Sequence, residues 1–139
     1  MLEREIVTRK NTPTTPVLKK KKEVLVVDDN KTVQDVISRL LTFLDYHVTL
    51  ADNGLEGGAL FFTGNYDLVI TDFHMPQMNG LQLSRQIKER SPKTPVIVVT
   101  GFTDAKDCAA LNTNCVDAVI RKPFTLKDFE STVQRVLNP

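Results

Sequence analysis

The sequence lacks the features that would place a protein in a membrane or in an oxidising compartment. No apolar run approaches the ~20 residues that a bilayer-spanning helix needs. The N-terminus is polar and basic without an apolar segment, which argues against a signal peptide. Cysteine is scarce, and the spacing of Cys108 and Cys115 fits neither a zinc site nor a redox motif. We therefore expect reduced thiols, a cytoplasmic location and no membrane partner.

The net charge of the chain is small because its two parts differ in sign. Residues 1–22 carry seven Lys or Arg and two Glu, whereas residues 23–139 carry eleven Lys or Arg and fifteen Asp or Glu. The first part has little apolar periodicity, so we predict a flexible basic arm. The second part predicts one domain, whose acidic balance disfavours nucleic-acid binding. The lysine run at 19–22 could touch an anionic partner, but a solvated tail is the simpler interpretation.

Short apolar runs predict five strands, at residues 23–27, 47–51, 68–71, 96–99 and 117–120. The runs at 24–27 and 96–99 are apolar throughout, which is typical of parallel strands buried on both faces. Apolar residues at helical spacing predict five helices between and after the strands, at residues 31–44, 53–63, 79–90, 104–112 and 125–137. This alternation favours right-handed βαβ units. We predict an α/β fold: a single-domain, flavodoxin-like, doubly wound sheet of five parallel strands in the order 2-1-3-4-5.

Details of the helices can also be predicted from the sequence. Asp29 or Asn30 is expected to cap the first helix. Gly57 and Gly58 lie inside the second helix, where each costs about 0.5–1 kcal/mol relative to Ala, so we expect that helix to be weak or frayed. The predicted apolar faces comprise Val33, Val36, Ile37, Leu40, Leu41 and Leu44 in the first helix, Leu55, Ala59, Leu60 and Phe62 in the second, and Leu81, Leu83 and Ile87 in the third.

Polar groups follow four of the predicted strands. Asp28 and Asp29 come after the first strand and Asp72 after the third. Thr100 and Lys122 follow the fourth and fifth strands. A single Asp at a strand end would be a solvated acid, but the carboxyl ends of parallel strands share one edge, where ligands bind. We therefore expect three carboxylates, a hydroxyl and an ammonium to converge at this edge.

The converging groups suggest a metal-dependent phosphoryl chemistry. Carboxylates at one place repel one another, so a cluster of three needs a cation among them. Hard oxygen ligands with room for water and phosphate suit Mg²⁺, which Asp28 and Asp29 could hold directly or through water. Asp72 is both a ligand and a candidate nucleophile, because a carboxylate can accept a phosphoryl group as an acyl phosphate. Lys122 and the Thr100 hydroxyl are suited to neutralise the phosphoryl oxygens.

Four motifs stand at the strand ends: Val-Val-Asp-Asp-Asn at 26–30, Asp-Phe-His-Met-Pro-Gln-Met-Asn-Gly at 72–80, Val-Val-Thr-Gly at 98–101 and Arg-Lys-Pro-Phe at 121–124. Each motif alone is weak, but together at these spacings they are specific. The set resembles that of response regulator receiver domains, the CheY-like phosphoacceptor modules of two-component signalling. The resemblance covers residues 23–138, and we place a receiver domain at residues 23–139.

The resemblance implies how the site works. Asp72 would be phosphorylated by a sensor histidine kinase or a phosphotransfer protein, with Mg²⁺ as the cofactor. The implied Mg²⁺ ligands are Asp28 or Asp29, Asp72 and the main-chain carbonyl of His74. Thr100 and Lys122 would contact the phosphoryl group, and the family tends to a cis peptide bond before the proline that corresponds to Pro123. A receiver domain is not an enzyme in the ordinary sense, because it catalyses only its own phosphoryl transfer and a slow autodephosphorylation.

Three positions modify this expectation. In the family an aromatic residue commonly stands three residues before the lysine and rotates inward on activation, but Val119 stands there in this chain. Either Val119 simply packs while a shift of Thr100 remodels the surface, or the output surface differs and phosphorylation serves a relay. Phe102 and His74 flank the expected path of attacking water. We hypothesise that Phe102 restricts water and prolongs the phosphorylated state, and we interpret His74 as a solvent-exposed loop residue.

Three other functions fit the sequence less well than a signalling switch. An aspartyl-phosphate hydrolase would share the nucleophile and the metal, but His74 stands where that family has a second Asp. A degenerate receiver that acts as a constitutive binding module requires a missing acid, and none is missing. A nicotinamide-binding domain requires a Gly-rich turn after the first strand, which the sequence does not have.

The sequence also suggests how the signal leaves the domain. Nothing after Leu137 could form a second domain, so we expect output through protein contacts unless the chain is a fragment of a longer regulator. The expected docking face comprises the fourth predicted helix, the fifth strand and the last helix. We expect a monomer or a phosphorylation-dependent dimer.

Overall fold

The computed structural model describes residues 20–101, 111 and 113–138. Its strands are β1 (Glu23–Val27), β2 (His47–Ala51), β3 (Leu68–Asp72), β4 (Val96–Thr100) and β5 (Ala118–Arg121). All neighbouring strands pair in parallel in the order β2-β1-β3-β4-β5, which confirms the predicted fold. The helices in the described ranges are α1 (Lys31–Phe43), α2 (Gly54–Thr63), α3 (Gly80–Arg90) and α4 (Leu126–Leu137). None of them is long and apolar enough to cross a bilayer.

One predicted helix cannot be compared with the structure. Residues 104–112 lie outside the described residues, except for Leu111, which is buried. The other four predicted helices are observed within one residue of their expected ends. The predicted basic arm at 1–22 is described only from Lys20 onward.

Both faces of the sheet carry a hydrophobic core, because successive side chains of a strand point to opposite sides. The core under α1 and α4 includes Val24, Val26, Leu68, Ile70, Ile97 and Val99. The core under α2 and α3 includes Leu25, Val27, Val69 and Val96. Burial on both faces explains why these strands are apolar at every position. This packing fixes the carboxyl ends of β1, β3, β4 and β5 along one edge.

Helix α1 begins directly after the first two acids. Asn30 is its N-cap, since its side chain accepts a hydrogen bond from the N–H of Val33. The sequence predicted either Asp29 or Asn30 as the N-cap of this helix, and the structure shows that the N-cap is Asn30.

The buried stripe of α1 differs in part from the predicted one. Ile37 and Leu41 are buried as predicted, but Val36 is 45% exposed, so its assignment to the buried face was wrong. The polar Gln34 completes the stripe instead, because positions 34, 37 and 41 share one face of a helix.

The predicted fraying of α2 is not observed, because the helix is continuous over ten residues. Its two interior glycines are buried and face neighbouring elements. A Cβ at Gly57 would lie 2.8 Å from a methyl carbon of Val27, so glycine allows α2 to lie close to β1. A Cβ at Gly58 would lie 3.3 Å from the side-chain oxygen of Gln86 on α3. The intrinsic cost of glycine is therefore offset by close packing.

The apolar face predicted for α2 was only partly right, because Leu60 packs against the core but Leu55, Ala59 and Phe62 are exposed. The helix buries its glycines and Phe61, whereas Leu55 and Phe62 are 56% and 39% exposed. Arg90 of α3 lies over the ring of Phe62, at 4.8 Å from the ring centroid. Glycine carries no apolar signal, so the sequence pattern does not reveal that the helix buries Gly57 and Gly58.

β5 begins at Ala118, one residue later than predicted, and Asp117 lies just before it. Its N–H donates to the carbonyl of Val96 at 2.8 Å. Its Oδ2 accepts from the N–H of Val96 and from the ammonium of Lys88, each at 2.7 Å. Lys88 also donates to the carbonyl of Thr94 at 2.8 Å. This cluster joins the end of α3 to the starts of β4 and β5.

Candidate functional site

The acids that follow two neighbouring strands meet at the carboxyl edge of the sheet. One carboxylate oxygen each from Asp28, Asp29 and Asp72 lies within 4.8 Å of the others. Asp28 and Asp29 follow β1, and Asp72 ends β3, which pairs beside β1. The structure therefore brings the three predicted acids together, and we call them the acidic cluster.

Asp28 is the buried member of the acidic cluster, with 1% of its surface exposed. Its Oδ1 accepts a hydrogen bond from the N–H of Asn30 at 2.8 Å. Burial raises the pKa of Asp28 from 3.8 to about 6, although the N–H of Asn30 opposes the rise. The charges of Asp72 and Asp29 raise this pKa further, and the charge of Lys122 lowers it. Without a cation, a proton therefore competes for this carboxylate near neutral pH.

Asp72 pairs with Lys122, which directly follows β5, the last strand in the order of the sheet. The ammonium of Lys122 lies 3.3 Å from Oδ1 of Asp72, and both side chains are partly shielded from solvent. Burial raises the pKa of Asp72, and Lys122 is the main group that lowers it. The structure thus places a cation directly beside the candidate nucleophile, as the sequence predicted.

Thr100 reaches the same edge from β4. Its neighbour Val99 pairs with Asp72 in the β3–β4 register, and Thr100 is the next residue along the strand. The N–H of Lys122 donates to the carbonyl of Thr100 at 2.8 Å, which links the ends of β4 and β5. Thr100 is 1% exposed. Asp72, Thr100 and Lys122 therefore occupy three adjacent strand ends.

The loop after Asp72 returns tightly to the end of β3. The N–H of Gly80 donates to the carbonyl of Phe73 at 2.8 Å. A Cβ at Gly80 would overlap the carbonyl oxygen of Asp72, so no larger residue fits without a shift. Asn79 caps α3 through a reciprocal pair of hydrogen bonds with Gln82. The start of α3 therefore lies directly against the main chain at the end of β3.

The donor set of the acidic cluster fits a hard divalent cation. Oδ2 of Asp28 is buried and has no hydrogen-bond donor among the residues that the structure describes. A buried carboxylate oxygen without a donor is costly, and a cation would satisfy it. Carboxylate oxygens are suitable ligands for Mg²⁺, which usually takes one or two of them and keeps several waters. The residues present therefore fit the Mg²⁺ that the resemblance implies.

The remaining predicted residues lie as follows. His74 is exposed, as expected for a loop residue, and its ring contacts Phe73 edge-to-face with centroids 4.7 Å apart. Val119 lies on β5 opposite Val98 and is 39% exposed. Phe102 lies outside the described residues. The peptide bond between Lys122 and Pro123 is cis, in agreement with the resemblance.

Sequence reasoning missed one residue of the site. Gln34 is 3% exposed, and its amide nitrogen donates to the carbonyl of Asp28. A polar residue on the buried stripe of a helix, close in sequence to two acids, was the available signal. Its acceptors come from two strand ends, so their identity depends on the tertiary structure.

The comparisons with known proteins agree with this geometry. The family model described as response regulator receiver domain matches residues 24–134, which is most of the chain. The chain belongs to the response regulator receiver domain family. The receiver domain is similar to the probable transcriptional regulator ycf27 of Cyanidium caldarium, with 33% identity over 120 residues. That match covers 86% of this chain and 47% of the relative, so the chain spans about half of that protein.

Two solved receiver structures illustrate the shared fold. The receiver domain protein from Clostridium thermocellum is 30% identical, with a TM-score of 0.78 over 84% of this chain and 94% of that one. The response regulator TrrA from Thermotoga maritima, solved in complex with Mg²⁺-BeF, is 29% identical. It has a TM-score of 0.77 and covers 84% of this chain and 99% of that one. Receiver domains are signalling modules of two-component systems, and this chain is a member of that family.

Proposed function

We propose that Asp72 of this receiver domain accepts a phosphoryl group from a phosphohistidine of a sensor histidine kinase or a phosphotransfer protein, in a reaction that depends on Mg²⁺. One observation carries the proposal. The acidic cluster brings three carboxylates within 4.8 Å, and the ammonium of Lys122 lies 3.3 Å from Asp72. The three carboxylates offer a site for a metal ion beside the candidate nucleophile, and the ammonium of Lys122 supplies a second positive charge there.

The proposed step needs no general base. A carboxylate oxygen of Asp72 attacks phosphorus, and a P–O bond forms while the P–N bond to the donor imidazole breaks. The imidazole nitrogen keeps the bonding electron pair, so the products are an acyl phosphate and a free histidine side chain. Lys122 and the hydroxyl of Thr100 would contact the phosphoryl oxygens and stabilise their charge. The catalytic contribution of the protein is therefore positioning and electrostatic stabilisation.

The metal would be held by Asp28, Asp29, Asp72 and the main-chain carbonyl of His74. When bound, Mg²⁺ supplies positive charge that lets carboxylates and phosphoryl oxygens approach one another. Two observations support this assignment: the donorless Oδ2 of Asp28 and the similarity to a response regulator solved with Mg²⁺-BeF.

The phosphorylated domain would act through altered protein contacts. The face formed by β5 and α4 is the proposed docking surface, and it carries the exposed side chains of Val119 and Leu126, at 39% and 41%. Because Val119 has no aromatic ring to rotate, either a Thr100 shift remodels this surface or the domain passes the phosphoryl group on. Slow autodephosphorylation is the only other reaction that we propose for the domain. We also propose that the protein is cytoplasmic and is a monomer or a phosphorylation-dependent dimer. An acyl-phosphate lifetime of only seconds would contradict the proposed shielding by Phe102.

The experiment that tests the function measures the intact mass after incubation with acetyl phosphate or phosphoramidate. We expect one phosphate adduct that forms with Mg²⁺ and not with EDTA. Asp72→Asn should form no adduct. Asp35→Asn is the matched control, because Asp35 lies exposed on α1 in an ion pair with Arg39 and should leave the adduct unchanged. An adduct on Asp72→Asn, or turnover of small phosphate esters, would contradict the proposal.

A further inference from the structure

Gln34 is the one buried polar side chain on the inner stripe of α1. Its Nε2 lies 2.5 Å from the carbonyl oxygen of Asp28 and 3.2 Å from that of Ala51. The same nitrogen lies 2.9 Å from Oδ1 of Asp52. An amide nitrogen has two hydrogens, so these three acceptors share them. The side chain therefore joins α1 to the ends of β1 and β2 at one point.

This contact acts on the residue that is most buried in the acidic cluster. Asp28 is held on its main-chain side by Gln34 and on its carboxylate side by the N–H of Asn30. With Oδ1 engaged by Asn30, the remaining oxygen Oδ2 is the one without a donor. The N–H of Asp28 donates to the carbonyl of Ala51 at 3.1 Å, so an apolar residue at position 34 would remove the donor to the carbonyl of Asp28 and leave the N–H side of its main chain held.

The outer end of the contact reaches the surface. Asp52 accepts hydrogen bonds from Gln34 and from the ammonium of Lys31, the latter at 2.5 Å. The hydrogen bond from Gln34 is the first cause of the lowered pKa of Asp52, followed by that from Lys31. Asp52 thus stays ionised as the acceptor for Gln34, and Lys31 fixes it from the solvent side.

We propose that Gln34 is a positioning residue for the Mg²⁺ site, since its amide, anchored by Asp52, fixes the main chain of Asp28 and thereby holds the carboxylate of Asp28 in the acidic cluster. The inference rests on the proposed function and goes beyond it by assigning a role to a residue that touches neither metal nor phosphoryl group. Groups that orient metal ligands typically change metal affinity by about 10–100-fold when removed.

The test is calorimetric titration of MgCl₂ into Gln34→Met, which keeps the length of the side chain and removes the donor. We expect the Kd for Mg²⁺ to rise by about tenfold or more. The rate of phosphorylation by acetyl phosphate at saturating Mg²⁺ should stay close to that of the unsubstituted protein, because the reacting groups are intact. The split between a weakened Kd and a retained maximal rate is the signature that a purely structural role would not produce.

Matched variants separate positioning from stability. Gln134→Met makes the same change at an exposed site on α4 and should leave the Kd unchanged. Asp52→Asn and Asp52→Ala both remove a charge, but only the Asn side chain can still accept from Gln34. Asp52→Ala should therefore bind Mg²⁺ more weakly than Asp52→Asn. If Gln34→Met does not fold, the comparison of Asp52→Asn with Asp52→Ala tests the proposal instead.

The outcomes can be distinguished. If Gln34→Met binds Mg²⁺ as tightly as the unsubstituted protein, the positioning role is overturned. If Gln34→Met is unfolded, equal Mg²⁺ affinity of the two Asp52 variants overturns it. A fall in the free energy of unfolding with an unchanged Kd would reduce Gln34 to a packing residue. If the unsubstituted protein bound no Mg²⁺ in the same titration, the proposed function itself would fail and the inference with it.

Discussion

Lys122 lies 3.3 Å from Oδ1 of Asp72, although 50 positions separate the two residues along the chain. The pair joins the end of β5 to the end of β3 across β4, whose terminal Thr100 lies between them in the strand order. Both side chains are partly buried, at 30% and 13% exposure, so the interaction is screened less than a surface ion pair. This geometry gives the first prediction.

Lys122→Met should slow phosphorylation of Asp72 by acetyl phosphate by about 100-fold, the usual cost of removing one donor to a developing charge. The pKa of Asp72 should also rise, because Lys122 is the main group that lowers it. The rate is measured by quenched-time intact mass at saturating Mg²⁺. Lys127→Met on the exposed face of α4 is the control, and an equal rate in both variants would contradict the role of Lys122.

The raised pKa of Asp28 predicts how stability depends on pH in EDTA. Its pKa is about 6 in the folded state and near 3.8 in the unfolded state, so the folded state binds this proton more tightly. The contribution of this proton binding to the free energy of unfolding is fully present below about pH 4 and is lost as the pH rises through about 6. Two pKa units correspond to roughly 3 kcal/mol.

Asp28→Asn should therefore raise the melting temperature in EDTA at about pH 7.5, where the native carboxylate is charged and buried. The gain should shrink towards about pH 4, since the native Asp28 is then neutral. Differential scanning calorimetry across this range measures it, with the exposed Asp35→Asn as the control. Mg²⁺ should stabilise the unsubstituted protein much more than Asp28→Asn. A gain that does not change with pH would show that charge is not the cause.

Gly80→Ala should destabilise the fold by about 1–3 kcal/mol, the usual cost of overpacking. The new methyl group would overlap the carbonyl oxygen of Asp72, which is main chain and cannot move aside. Urea unfolding measures the loss. Gly101→Ala is the matched control, because among the residues that the structure describes its Cβ would meet Lys122 alone, at 3.8 Å, an ordinary contact distance. Equal free energies of unfolding for the two variants would argue against a tight approach at Gly80.

Lys88 and Asp117 should be coupled energetically, with a double-mutant-cycle energy of about 1 kcal/mol. The ammonium of Lys88 lies 2.7 Å from Oδ2 of Asp117, and the Lys88 side chain is only 14% exposed. The carboxylate of Asp117 also accepts a hydrogen bond from the N–H of Val96. The cycle uses Lys88→Met, Asp117→Asn and the double variant in urea unfolding.

The exposed pair Arg39 and Asp35 provides the comparison for this cycle. Its side chains are 80% and 61% exposed, so its coupling should be close to zero. A coupling between Lys88 and Asp117 that is no larger than this value would mean that the ion pair does not hold β4 and β5 together.

Most of the fold was predictable because its signals are local. Continuous apolar runs such as Val24–Val27 identify buried parallel strands, and helical spacing identifies the helices between them. The rule that parallel strand ends share one edge then predicts from the sequence alone that Asp28, Asp29, Asp72 and Lys122 lie together.

The errors concern contacts between segments that are distant in sequence. The buried side of α2 was only partly predicted because Gly57 carries no apolar signal, and only its approach to Val27 reveals why glycine is there. The contacts of Asp117 were also not predictable, since its carboxylate accepts from Val96 and Lys88 of other elements. Periodicity within a segment cannot report which neighbour it meets.

The sequence by itself determined the type and order of the elements and the set of polar groups at the strand ends, since both follow from residue types at fixed spacing. Only the tertiary structure decided that Asp28 is buried with one donorless oxygen, that Asn30 and not Asp29 caps α1, and that Gln34 holds the main chain of Asp28. Burial and hydrogen bonding depend on which atoms from separate elements meet in space, and that is settled by packing.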